Sequence, residues 1–87
     1  MSNIVEKMLD VPAEHQSNVF GQFDSHIKKI EQTLKVSVIA RDGEVKILGP
    51  ADYTRQAARV IEQLLELSRR GNVIQEQNVD YALALSM

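Results

Sequence analysis

The stretch Val11-Pro12-Ala13-Glu14-His15-Gln16-Ser17-Asn18-Val19-Phe20-Gly21-Gln22-Phe23-Asp24-Ser25-His26-Ile27-Lys28-Lys29-Ile30-Glu31 decides how the rest of the chain is read. Pro12 has no N–H to give a sheet ladder, so it ends the strand before it. Glu14 to Phe20 reads as a short helix, and Gly21 as its stop, since glycine takes a left-handed C′ position freely. Asp24 or Ser25 can cap the next helix, a side-chain oxygen accepting from its unpaired amides. Ile27, Ile30 and Leu34 follow at helical spacing, so this second helix is expected to run to about Leu34 with one apolar face.

Working outward, Ile4 to Val11 reads as a strand, with Val5, Leu9 and Val11 on one face and Lys7 interrupting them. Val36 to Arg41 reads as a second strand, with Val36, Val38 and Ala40 facing one way and Ser37, Ile39 and Arg41 the other. Asp42-Gly43 is a type I′ hairpin signal. Glu44 to Leu48 is its partner strand, with Val45 and Ile47 inward and Gly49-Pro50 as an expected break. A long helix is expected from about Ala51 to Arg70, with Tyr53, Ala57, Val60, Ile61, Leu64 and Leu67 as its buried stripe. Arg69 and Arg70 suit its negative C-terminal end, and Gly71 stops it. Gln75 to Leu85 reads as a last helix burying Val79, Ala82 and Leu83. The order is strand, helix, helix, strand, strand, helix, plus a C-terminal helix. Three strands that each bury one face need helices on that face, so the fold class is a two-layer α+β domain.

The 87 residues allow one domain, spanning 1–87. Ten Lys and Arg against twelve Asp and Glu give a net charge of −2, which weighs against a strongly charge-driven nucleic-acid binder. Without cysteine there is no disulfide framework and no thiolate metal site, which suits a reducing, cytoplasmic setting. No apolar run approaches the roughly 20 residues that cross a bilayer, and Met1-Ser2-Asn3-Ile4 lacks a signal-peptide pattern. His15 and His26 lie apart from any second ligand, and no serine has a base at useful spacing. The sequence therefore offers no catalytic residue and no metal ligand set.

Phe20 to Glu31 resembles the KH nucleic-acid-binding module, in which a short helix leads through a G-x-x-G loop to a helix reading x-x-Ile-Lys-x-Ile. Glu44-Val45-Lys46-Ile47-Leu48-Gly49 before a long helix is similar to the KH third strand and last helix. In KH modules the glycine loop clamps a few nucleotides by their backbone. A narrower resemblance covers Val11 to the end of the chain. Phe20 to Glu31, Val36 to Gly49, Ala58-Arg59-Val60-Ile61, Leu64 to Gly71 and Asn78-Val79-Asp80-Tyr81-Ala82 look like the N-terminal KH-like domain of PhoH-like proteins, a bacterial family named for phosphate-starvation induction. The resemblance implies a P-loop ATPase domain following this one, ATP and magnesium bound there, and a link to RNA. This chain holds no G-x-x-x-x-G-K-[ST], so it has no cofactor of its own and reads as an N-terminal piece of a longer ATPase.

The resemblance makes Gly21, Gln22, Phe23, Lys28 and Lys29 the candidate nucleic-acid contacts. Asp24 stands where KH modules carry the second glycine, and its carboxylate would repel phosphate. The loop has a plainer reading too, with Gly21 as helix stop, Asp24 as cap and Phe23 either a stacking face or a core plug beside Ile27. Arg55 and Arg59 alternate with Glu62 and Glu66 and read as a solvated, internally paired face. Met8, Ile39 and Leu48 point away from the helices and form one candidate interface, near Arg41 and Lys46. Tyr81 and Leu85, four apart on the last helix, form a second. The expected partners are the ATPase domain of the parent protein, single-stranded RNA bound weakly, or a second copy, with no membrane. The competing function class is a protein-interaction or oligomerisation module without a nucleic-acid role.

Overall fold

The computed structural model describes residues 3–87. Its sheet grows from the Asp42-Gly43 turn, where φ is +53° and +85°. Both central residues are left-handed, as a type I′ turn requires. The turn joins β2 (Ser37–Arg41) to β3 (Glu44–Pro50), and β1 (Ile4–Asp10) pairs with the other side of β3. All pairing is antiparallel in the order β1-β3-β2, so the last strand in sequence is the central one. The Val11 N–H donates to the Gly43 carbonyl (2.8 Å) and fixes the parity of the ladder. Odd residues of β1 bond to β3, and Ile4, Glu6, Met8 and Asp10 turn their backbone groups the other way.

The expected break at Gly49-Pro50 does not occur, and β3 runs through both residues. By the same parity Pro50 aims its nitrogen at the β2 side, and β2 begins only at Ser37, which pairs with Leu48. Proline removes a donor there that no strand would have used.

Val45 and Ile47, fully buried, carry the inner face of the sheet. The helices α1 (Ala13–Phe20), α2 (Ser25–Leu34), α3 (Ala51–Arg69) and α4 (Glu76–Ser86) form the second layer. The α+β class and the order β-α-α-β-β-α plus a C-terminal helix stand as expected. The buried stripe of α3 is shifted by one residue at its start. Tyr53 is exposed, and Thr54 takes the inward position with its hydroxyl donating to the Ala51 carbonyl (2.9 Å). Thr54, Ala57, Ala58, Ile61, Leu64, Leu65 and Ser68 keep a strict i, i+3, i+4, i+7 phase, which leaves Tyr53 about 100° away.

A polar clamp ties α1 to the end of α3. The Asn18 amide donates to Ser68 Oγ (2.9 Å) and to the Asn72 carbonyl (2.8 Å), and its Oδ1 accepts from the Ile74 N–H (2.8 Å). His15 Nδ1 meets the same Ser68 hydroxyl at 2.8 Å. Across the helix layer Lys29 of α2 pairs with Glu76 (2.8 Å) and Asp80 of α4.

Candidate nucleic-acid loop and sheet surface

Gly21 ends α1 at φ +82°, ψ 165°, with its N–H on the Ser17 carbonyl (3.0 Å). That region is essentially closed to residues with a Cβ. Directly beneath lies the buried His26 ring, whose Nδ1 donates to the Val19 carbonyl (3.2 Å). One 3-10 turn, Gln22–Asp24, then leads into α2, closed by the Asp24 N–H on the Gly21 carbonyl (3.0 Å). Phe23 (φ 55°) and Asp24 (φ 58°) are both left-handed, a conformation that costs residues other than glycine roughly 1–2 kcal/mol each.

The cap expected of Asp24 fails, and of the two alternatives for Phe23 the structure takes the exposed one. Asp24 makes no side-chain cap on α2, because its left-handed backbone departs from the extended conformation a capping residue normally takes. Phe23 does not plug the core beside Ile27, since it is 83% exposed. The loop holds an aromatic ring in solvent on a strained backbone. The N–H groups of Gln22 and Phe23 have no acceptor among the described residues. Lys28 is exposed one turn into α2 and has no ion pair among the described residues. Lys29 is turned to the other side, where hydrogen bonds to Asp80 and then Glu76 hold its pKa above the usual 10.5. The structure thus brings Gly21, Gln22, Phe23 and Lys28 to one surface and commits Lys29 to α4.

The outer sheet face carries Glu6, Leu48 and Ser37 in one row, Met8, Lys46 and Ile39 in the next, and Asp10, Glu44 and Arg41 in the third. Met8 and Ile39 are 48% and 45% exposed on either side of Lys46, and Leu48 is half-buried. A shallow depression of about 280 Å³ lies between Met8, Ile39, Arg41, Glu44 and Lys46. Tyr81 and Leu85 are exposed on α4, in the helix layer, apart from that face. Arg55 pairs with Asp52 (2.9 Å) and Arg70 with Glu66 (3.1 Å), whereas the pairing expected of Arg55 and Arg59 with Glu62 and Glu66 does not form, and Arg59 has no ion pair among the described residues. The clamp of His15, Asn18 and Ser68 carried no signal in the sequence, since Ser68 lies some fifty residues from the other two. Among the described residues no His, Cys, Asp or Glu cluster could hold a metal, and no helix is long and apolar enough to cross a membrane.

The architecture defines a two-layer α+β domain whose exposed features include a strained aromatic loop and an outer sheet face on which Met8 and Ile39 flank Lys46. The chain is related to the PhoH-like proteins. Over 69 residues it is 32% identical to a PhoH-like protein of Bacillus subtilis (strain 168), a match covering 79% of this chain and 22% of that protein. The chain therefore spans about a fifth of the length of this relative. A solved structure of a protein of unknown function from Aeropyrum pernix superposes with a TM-score of 0.77. The identity is 16%, the match covers 99% of this chain and 48% of that one, and it speaks to the fold alone. No family model matches the chain.

Proposed function

We propose that the chain is an accessory, KH-like domain of a cytoplasmic PhoH-like protein, making a weak contact with single-stranded RNA through Gly21, Gln22, Phe23 and Lys28. The observation that carries this reading is the Phe23 ring, held in solvent on a left-handed loop and followed five residues on by Lys28, exposed and without an ion pair among the described residues. Any base can stack on the ring, while Lys28 and the N–H groups of Gln22 and Phe23, which have no acceptor among the described residues, are donors for a phosphate. Asp24 opposes that phosphate, so the affinity falls at the weak end of nucleic-acid binding. ATP and magnesium belong, on this proposal, to a part of the protein outside these 87 residues.

Titration of a single-stranded RNA oligomer at low salt, followed by amide shifts, tests the reading. Shifts confined to residues 20–28 are expected, lost in Phe23→Ala and in Lys28→Glu. They strengthen in Asp24→Gly, which removes the opposing charge at a position whose φ suits glycine. No shifts at about 10⁻⁴ M RNA, the weak limit of non-specific binding, refute it.

A second reading, positioning of the remaining PhoH-like protein, is favoured by the Met8-Lys46-Ile39 row and its depression. Ile39→Lys should abolish binding of that remainder in trans, and unchanged binding would sink it.

A further inference from the structure

The two edges of the sheet are finished differently. On β2 the outward N–H of Val38 donates to the Glu31 carboxylate of α2 (2.8 Å), so that edge is partly closed by a side chain. On β1 the outward backbone groups of Ile4, Glu6, Met8 and Asp10 have no partner among the described residues. A seven-residue edge left in this state is a template for another strand.

The side chains that β1 turns toward α3 give the edge a chemistry. Val5 and Leu9 are half-buried, and Lys7 between them is exposed with no ion pair among the described residues. Beside Leu9 a depression of about 340 Å³ opens between the strand and α3, lined by apolar Val11, Ile61 and Leu65 and by charged Glu62, Glu66 and Arg69. Beside Val5 a second depression is lined by the paired Asp52 and Arg55 as well as by Gln56 and Arg59, and Arg59 is without an ion pair among the described residues. The buried Oε1 of Gln56 has no hydrogen-bond partner among the described residues. Along β1 itself an added strand would meet Leu9, Lys7 and Val5 in turn, an apolar contact, a cation and a second apolar contact.

A second copy of this chain fits poorly. Antiparallel self-pairing with both helix layers on one side sets Lys7 against Lys7 in the full-length register. Shifting the register by one pair either way sets Glu6 against Glu6 or Glu6 against Asp10. Like charges directly opposite destabilise a ladder, so the charges on β1 guard the edge against its own copy while leaving it open to a complementary strand.

We propose that the free edge of β1 docks an extended peptide segment of a partner protein, one whose helix-facing residues read apolar, acidic, apolar. The acidic residue pairs with Lys7, and the backbone bonds form at Glu6 and Met8 and, in a longer segment, at Ile4 and Asp10.

The test uses the 87-residue chain and an N-acetylated, C-amidated peptide, Ser-Val-Thr-Glu-Thr-Leu-Ser. The expected result is shifted, exchange-protected amides at Glu6 and Met8, with Val5, Lys7 and Leu9, already bonded to β3, little changed in exchange. A peptide with Lys in place of Glu should bind about tenfold more weakly, the scale of one charge-assisted pair, and Lys7→Glu should invert that order. Met8→Pro removes an outward N–H that the β1–β3 ladder does not use, and should abolish binding in a chain whose remaining amide spectrum is intact. If Met8→Pro does not fold, the Lys7→Glu inversion decides alone. Absence of shifts at about 1 mM peptide, beyond the weak limit of specific recognition, overturns the proposal. Equal binding of both peptides also overturns it, as do shifts confined to the outer sheet face. Concentration-dependent shifts at β1 without peptide would replace it with self-association.

Discussion

Gly21→Ala tests whether the loop is held by what lies beneath it. A Cβ built at Gly21 would sit 2.7 Å from both His26 Cγ and Ser25 Oγ. The ring cannot simply swing away, because it is buried and bonded to the Val19 carbonyl at 3.2 Å. The backbone at φ +82°, ψ 165° adds strain of about 1–3 kcal/mol for any residue with a Cβ. Crowding in a packed site adds about 1–3 kcal/mol, so a total near ~3 kcal/mol is expected. Gly71 supplies the control, with φ +91° and nothing within 4 Å of its own Cβ position. Gly71→Ala carries the backbone strain alone, about 1 kcal/mol. In urea unfolding followed by far-ultraviolet circular dichroism, a slope of about 1 kcal/mol per molar turns these into midpoint losses of ~3 M and ~1 M. A chain of this length has roughly 4–13 kcal/mol to lose, so both should still fold. Equal losses at the two glycines, or a Gly21→Ala loss below that of Gly71→Ala, would show that His26 does not hold the loop.

Two further outcomes follow from the helix layer. Asn18→Ala removes three hydrogen bonds and leaves the part-buried Ile74 N–H without an acceptor, a loss of about 2–3 kcal/mol. Urea unfolding checks it, and a loss under about 0.5 kcal/mol, the range of an ordinary surface substitution, would mean the clamp is not formed. Lys29 carries a folded-state pKa raised by Asp80 and Glu76, so its pairs contribute fully below the unfolded value. That contribution should fade as pH rises above about 10.5, and the difference between the chain and Lys29→Met should shrink across the same window. A difference independent of pH there would contradict the pairing.

Signals that act within a few residues were legible from the sequence. Asp42-Gly43 reads as a type I′ turn because both positions must be left-handed, and they are. Gly21 reads as a helix stop, and its N–H does close α1 on Ser17. The face of α4 is equally local, since Val79, Ala82 and Leu83 share it through helical geometry alone. The candidate site was legible only as a segment. Which lysine faces solvent depended on α4, whose Glu76 and Asp80 arrive from some fifty residues away to take Lys29 and leave Lys28. Phe23 could have served core or solvent equally well by composition, and the left-handed backbone of the loop sent it outward.

By itself, then, the chain's sequence determined its elements, their order and the α+β class, because turn chemistry and periodicity are set over one to four residues. The tertiary structure decided what those elements present. Placing β3 between β1 and β2 made Pro50 compatible with a strand, because β2 stops before reaching it. The same strand order left both other strands as edges, one met by Glu31 and one open. An edge exists only once strands are ordered in space, and Lys7, an interruption in an apolar pattern when read along the chain, becomes the charge on that edge.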